Sequence, residues 1–217
     1  MLKTPQKAAS ALSLLLAVLL PAVGFGFASM SAHEAQDQAN PVTETVVRTV
    51  AHVAPPFSRA DVSEDVLWLA RCIYSETKRP QEQRLVAWVI RNRVETGYRG
   101  QRTYQSTVLD PYQFSAFNPG SAKRRLYLSL DADSDAMGWG KALEAAYEVY
   151  HAPEADRPFD RKTRHFYSER SMRGGRTPAW ARGKTPVQPT SFRPDPRRFR
   201  FYSSIATVPL SLPGVLG

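Results

Sequence analysis

Glu76 has the position in this chain best suited to acid chemistry. Apolar residues recur at helical spacing from Val66 onward, and Glu76 follows Ile73 by three residues, at the edge of that stripe and near the end of the predicted helix. The partial negative charge of a helix C-terminus and partial burial both disfavour an ionised carboxylate, so we expect a raised pKa. A carboxyl that stays protonated near neutral pH suits a general acid acting on a glycosidic oxygen. A helix-end glutamate that points into solvent is the alternative.

Two helices joined by a short polar break must position this glutamate. The first is predicted over residues 62–77, since Asp61 and Glu64 resemble a capping box. The second is predicted over residues 81–94, with Pro80 suited to its first turn. This second segment is apolar almost all round, as expected of a central core helix. The polar Asn92 and Arg93 near its end are expected to tie down neighbouring loops.

The remaining elements predict an α+β fold. Residues 96–118 are punctuated by glycine and proline and are expected to be irregular. An amphipathic helix is predicted over residues 135–150, and Pro153 follows it. Two basic, aromatic runs at residues 164–167 and 198–202 are typical of short strands.

Several segments, in order, resemble the signature of the SleB-like cell wall hydrolases, the spore-cortex-lytic family. They are residues 69–76 (LARCIYSE), 86–93 (VAWVIRNR), 113–115 (QFS), 165–167 (HFY) and 178–180 (PAW). The resemblance covers residues 66–202 and is strongest in the two helices. It implies a small, mainly helical, lysozyme-like domain with a short antiparallel sheet, and Glu76 as the catalytic acid/base. The implied activity is cleavage of the MurNAc–GlcNAc glycan strand of peptidoglycan.

The resemblance also implies a sugar-binding cleft. Its aromatic loop would contribute Gln113, Phe114 and Ser115, and the later blocks would contribute three more substrate-binding candidates, His165, Tyr167 and Trp180. Aromatic faces beside amides and hydroxyls suit a pyranose, which has apolar C–H faces and a polar rim. Without the resemblance, an aromatic loop packed on the core is an equal interpretation.

In one respect the sequence departs from the family pattern. Many members carry a glycine and then an acidic residue three and four positions after the catalytic glutamate, where this chain has Arg79 and Pro80. Glu82 and Asp110 are the nearby candidates for a second carboxylate. Because only Glu76 is well placed, lytic transglycosylation, which needs one carboxyl, is favoured over a two-carboxylate hydrolysis. That mechanism requires neither a metal nor a cofactor.

The charge and the first residues indicate an exported protein with an anionic partner. The net charge is +9 and the pI is about 9.9. Residues 1–28 combine lysines with an apolar run and small residues, as in a signal peptide; an uncleaved anchor over residues 8–28 is the alternative. Residues 29–60 are predicted to be a flexible spacer, residues 61–202 the catalytic domain and residues 203–217 a disordered tail. We therefore expect a monomer in the periplasm or cell envelope that acts on peptidoglycan and binds no nucleic acid.

Two other functions remain open at this point. Cys72, the one cysteine, could serve a peptidase or amidase together with His165, although a thiolate is disfavoured deep inside a helix. The basic last third could instead form a non-catalytic wall-binding module. Residues 157–200 contain thirteen Lys or Arg and three Asp or Glu.

Overall fold

The computed structural model describes residues 55–206 and has an α+β fold. Within that range lie five α-helices and one two-stranded sheet. The helices are α1 (Glu64–Glu76), α2 (Pro80–Glu95), α3 (Tyr104–Leu109), α4 (Arg124–Leu128) and α5 (Trp139–His151). The strands are β1 (Thr163–Tyr167) and β2 (Arg200–Ser203).

The core is formed mainly by α1, α2 and α5, which contact one another in all three pairs. Residues 66–74 of α1 are all buried, as are most residues of α2, including 85–90. The amphipathic α5 packs its apolar face across both helices, with Trp139 and Leu143 fully buried. The prediction that the second helix lies at the centre of the core, through its apolar residues 85–90, is confirmed.

The helix boundaries follow their capping groups. Ser63, rather than Asp61, is the N-cap of α1, because its Oγ accepts a hydrogen bond from the Val66 amide. Pro80 occupies the first turn of α2, where its missing N–H costs nothing. The predicted start of α5 at residue 135 is too early: Gly138 has φ of 79°, a left-handed conformation that the helix cannot contain.

Residues 96–118 are more ordered than predicted. They contain α3, whose N-cap Thr103 and residue Ser106 bond each other reciprocally in a capping box. Glycine and proline around this short helix obscured it in the sequence. The short α4 was likewise not predicted.

The two predicted strands are confirmed as an antiparallel pair. Phe166 lies opposite Phe201, and the register shifts between Thr163 and His165. Strand β1 packs against α2, and Asn92 of α2 donates hydrogen bonds to the carbonyls of Asp160 and Thr163. The expectation that Asn92 holds neighbouring loops is therefore confirmed.

The packed domain extends beyond residues 61–202 in both directions. Phe57 packs edge-on against Tyr147 of α5, with ring centroids 5.5 Å apart, so the predicted spacer ends before residue 57. At the other end, Ser203 belongs to β2 and Ile205 is buried, so the tail cannot begin at residue 203. The predicted signal peptide and most of the spacer and tail lie outside the described residues. No helix within residues 55–206 is both long enough and apolar enough to span a bilayer.

A buried ion pair joins the first turn of α2 to the segment before β2. Glu82 is 2 % exposed, and its carboxylate accepts hydrogen bonds from Arg198 Nε at 2.7 Å and Nη2 at 2.9 Å. The Thr77 hydroxyl donates to the same carboxylate at 2.7 Å. Burial alone would raise the pKa of Glu82, but these hydrogen bonds and the charges of Arg198 and Arg79 lower it overall.

We expect Arg198→Ala to destabilise the fold by about 3 kcal/mol, because it leaves Glu82 buried without its cation. Since the pKa of Glu82 is lower in the folded state, its stabilising contribution is present above the ordinary glutamate value of 4.5 and is lost as the pH falls below it. Chemical denaturation of the full chain at pH 7 and pH 3 measures both effects. Arg161→Ala is the control, since its pair with Glu154 is exposed and should contribute less than about 1 kcal/mol. Equal losses in the two variants would contradict this account.

Candidate active site

Glu76 lies in the wall of a cleft of about 550 Å³ formed by the end of α1, the aromatic loop and the segment after β1. We call it the Glu76 cleft. Its other lining residues are Ser75, Arg93, Tyr112, Gln113, Ser115, Ala116, Phe166, Tyr167, Ser168, Arg170, Ser171, Met172, Arg198 and Phe199. Glu76 is the one carboxylate among them.

The structure fixes the backbone around Glu76 firmly. Glu76 is the last residue of α1, and Thr77, in an extended conformation, ends the helix. The Thr77 hydroxyl is bonded to Glu82, and the Thr77 carbonyl accepts a hydrogen bond from Gln83 Nε2 at 2.9 Å. Both partners belong to the first turns of α2, so the end of α1 is held against the start of the next helix.

The electrostatics of Glu76 favour its protonated form. Its side chain is partly buried, and within residues 55–206 no protein group donates a hydrogen bond to its carboxylate. Burial raises the pKa of Glu76 from 4.5 to about 7, and the charge of Arg93 opposes part of this rise. The expected rise in pKa is confirmed. Near neutral pH, Glu76 can therefore both donate and accept a proton.

Arg93 is the cation that faces Glu76. Its guanidinium lies 5.0 Å from the ring centroid of Phe114 and 5.2 Å from that of Tyr98, and its Nε donates to the carbonyl of Arg164 at 2.7 Å. No carboxylate in the described part of the chain forms a salt bridge with it. Arg93 thus ties α2 to β1, as predicted, and also presents charge to the cleft, which was not predicted.

Neither candidate for a second carboxylate lies in the cleft. Glu82 is occupied by Arg198 and Thr77. Asp110 is buried and accepts a hydrogen bond from Arg99 Nε at 2.6 Å. Both are structural ion pairs, and neither lines the Glu76 cleft.

The aromatic loop divides between the cleft and the core. Gln113 and Ser115 line the cleft, as expected. Phe114 does not: it is 1 % exposed and packs beneath Arg93 and against Phe166, so its assignment as a substrate-binding residue is wrong. Tyr112, which was not predicted as a site residue, is 81 % exposed and lines the cleft with φ of 65°.

Of the three later candidates, Tyr167 alone lines the Glu76 cleft, and it is largely buried. His165 and Trp180 line an adjoining space of about 320 Å³, which we call the second recess. The second recess shares Arg93, Tyr112, Gln113 and Phe166 with the cleft; its other lining residues are Tyr98, Arg99, Ile205 and Ala206. The predicted sugar-binding residues are therefore split between two connected spaces.

Cys72 is unsuited to act as a nucleophile. It is 0 % exposed and lines neither space. Burial and the nearby Glu76 raise the pKa of its thiol well above the usual value, with Arg93 partly opposing them. His165, its suggested partner, bonds Tyr98 through Nε2 at 2.9 Å, and burial with the charges of Arg93 and Arg164 lowers its pKa to about 4.

No protein-family model, curated protein or solved structure matches this chain. Among residues 55–206, no group of three or more His, Cys, Asp or Glu side chains is placed to hold a metal ion.

The sequence analysis missed two features of the site, Tyr112 and the charge of Arg93. Tyr112 lies next to Gln113, but nothing in its type reveals its left-handed backbone, which depends on a hydrogen bond from its amide to Asn118 Oδ1 at 2.9 Å. Arg93 could have been suspected, since a charged residue on a helix otherwise buried must face a partner or a cavity.

The raised pKa of Glu76 predicts that Glu76→Gln stabilises the protein at alkaline pH. Because the folded-state pKa lies above 4.5, ionised Glu76 weakens the fold as the pH rises through about 7, whereas glutamine stays neutral. We expect Glu76→Gln to gain up to about 3 kcal/mol at pH 8 and almost nothing at pH 4, by denaturation of the full chain. Glu144→Gln, at an exposed position on α5, is the matched control and should leave the free energy of unfolding almost unchanged at both pH values. A gain that does not depend on pH would contradict the assigned pKa.

Tyr112→Gly should also stabilise the fold, because glycine adopts a positive φ without strain. We expect a gain of up to about 1 kcal/mol after the extra entropy of unfolded glycine is deducted. Tyr112→Ala is the control: it removes the same ring but keeps Cβ, so it should bring no gain. Thermal denaturation of the three proteins measures the difference, and equal stability of the two variants would show that the backbone at Tyr112 is unstrained.

Proposed function

We propose that this protein cleaves the glycan strand of peptidoglycan as a lytic transglycosylase, with Glu76 as its general acid and base. One observation carries the proposal: a partly buried carboxyl with a pKa of about 7 lines a 550 Å³ cleft, and it is the lone carboxylate there among residues 55–206. The resemblance to SleB-like cell wall hydrolases, which places the catalytic glutamate at this same residue, supports it. The proposed fold type is a small lysozyme-like domain.

The first proposed step is protonation of the oxygen that links MurNAc to GlcNAc. Glu76, protonated below about pH 7, donates its proton to that oxygen as the C1–O bond breaks, and an oxocarbenium-like sugar forms. The charge of Arg93 then favours the carboxylate that remains.

In the second step the Glu76 carboxylate accepts a proton from the 6-hydroxyl of the same MurNAc. The freed oxygen closes onto C1, giving a 1,6-anhydro end and restoring the protonated carboxyl. The two products together contain the same atoms as the substrate, so no water is consumed. Gln113 and Ser115 are placed to bond sugar hydroxyls, and the exposed ring of Tyr112 offers a face for a pyranose.

The ion pairing of the two other candidate acids, Glu82 and Asp110, supports transglycosylation over hydrolysis. A two-carboxylate hydrolase needs a second free carboxylate near the first. Glu82 and Asp110 are each neutralised by an arginine. The proposed site of action is the cell envelope, where the basic surface would favour the anionic wall.

The proposal predicts the products of a digest of purified peptidoglycan by the full chain. Wild type should release muropeptides one water lighter than hydrolysis products, and Glu76→Gln should release almost none, a loss of at least about 10²-fold. Mass spectrometry distinguishes the two product types. Glu144→Gln, which removes a carboxyl far from the cleft, should behave as wild type.

Each other outcome identifies a different function. Ordinary reducing ends would make the protein a hydrolase, and cut peptides with intact glycan would make it a peptidase or amidase. If wild type and Glu76→Gln both bind peptidoglycan but neither releases products, the wall-binding module is favoured. Each of these three outcomes would overturn the proposal.

The rate should also fall on the alkaline side with an apparent pKa of about 7. The general acid must be protonated at the start of the reaction, and deprotonation of Glu76 removes it. Initial rates of anhydro-muropeptide release between pH 4 and pH 9 measure this limb. A rate that stays constant up to pH 9 would exclude Glu76 as the acid.

A further inference from the structure

The second recess has an excess of positive charge. Two guanidinium groups, those of Arg93 and Arg99, line it, and a third, that of Arg164, stacks on the Tyr98 ring at 5.0 Å from its centroid. Asp110, paired with Arg99, is the one carboxylate in contact with any of these three among residues 55–206. Neither Arg93 nor Arg164 forms a salt bridge with a carboxylate in this part of the chain, and Glu76, whose ionised form Arg93 favours, lines the Glu76 cleft and not the recess.

Among residues 55–206, no acidic side chain lines the recess. The low pKa of His165 keeps its imidazole neutral at physiological pH. Trp180, Tyr98 and Tyr112 add aromatic surface, and Gln113 adds an amide. The recess therefore combines cationic groups with an apolar wall.

Arg93 has a buried guanidinium whose hydrogen-bonding capacity is largely unused. It is 5 % exposed, its Nη1 is buried without a hydrogen-bond partner, and its one hydrogen bond goes to a backbone carbonyl. A buried guanidinium without a salt bridge is costly, and a bound carboxylate would supply charge-assisted hydrogen bonds.

We propose that the second recess binds a carboxylate of the peptide stem carried by the glycan strand that occupies the Glu76 cleft. This inference rests on the proposed function. Such a strand offers two kinds of carboxylate: those of the peptide, and the lactyl carboxylate of a MurNAc without peptide. The recess adjoins the cleft through Arg93, Tyr112 and Gln113 and has its own volume of 320 Å³, which suits a group that extends from the sugar. The enzyme then selects strands that carry peptides.

Binding to the full-length Glu76→Gln variant tests the site without turnover. Calorimetry compares three ligands: a peptide-bearing muropeptide tetrasaccharide, the same molecule with its carboxylates converted to methylamides, and the peptide-free tetrasaccharide with its lactyl carboxylate. We expect the peptide-bearing ligand to bind at least about tenfold more tightly than either of the others. Equal binding of the methylamide form would overturn the carboxylate site, and equal binding of the peptide-free form would overturn its assignment to the peptide.

A charge variant localises the effect to the recess. Arg164→Gln in the Glu76→Gln background removes one of the unpaired charges, while the backbone carbonyl of residue 164 still accepts from Arg93. The preference for the peptide-bearing ligand should fall at least about threefold. Arg193→Gln is the matched control, because it makes the same change in net charge at an exposed position, whereas Arg164 stacks on Tyr98, a lining residue of the recess. An equal fall in both variants would show a general charge effect and overturn the proposal.

Cleavage by the wild-type chain separates this inference from the proposed function. If native and methylamidated peptidoglycan are cut at the same rate, the carboxylate site is wrong and the cleavage activity stands. If neither is cut but the binding preference persists, the proposed activity is wrong and the carboxylate site stands.

Discussion

The buried ion pair between Glu82 and Arg198 connects residues 116 positions apart. It joins the start of α2 to the segment that leads into β2, and the Thr77 hydroxyl bonds the same carboxylate. Thr77 directly follows Glu76, so the conformation of the candidate acid depends on a contact made across the whole domain. Arg198 also lines the cleft. A single network therefore holds both the backbone beside the acid and a second lining residue of the cleft.

Arg93 sets the balance of charge at the site. Burial alone disfavours ionised Glu76, and a nearby guanidinium limits how far the pKa can rise. Without such a cation the pKa of the carboxyl would be higher, and a closer one would lower it further. The same guanidinium is stacked on Tyr98 and Phe114 and donates to the Arg164 carbonyl, so aromatic packing and one hydrogen bond fix its position, with no salt bridge to a carboxylate among residues 55–206.

Local patterns in the sequence account for most of the fold and for part of the site. The helical stripe from Val66 to Ile73, the continuous apolar segment of α2 and the two basic, aromatic runs are local signals, and each predicted a helix or strand that the structure contains. What could not be predicted depends on contacts distant in sequence. Phe114 looks like a cleft aromatic beside Gln113, and only the packing of β1 and Arg93 against it shows that it belongs to the core. Likewise, Tyr112 becomes a cleft residue because Asn118 holds its backbone in a left-handed conformation.

Pro80 stands where the proposed family carries an acidic residue. In this fold Pro80 begins α2, and proline is suited to the first turn of a helix. The nearest acid along the chain, Glu82, is buried, neutralised by Arg198 and does not line the Glu76 cleft. A chemistry that needs two acids would be impaired by this arrangement. A chemistry in which one carboxyl first donates and then accepts a proton would not, and the intermediate pKa of Glu76 is the property that such a mechanism requires.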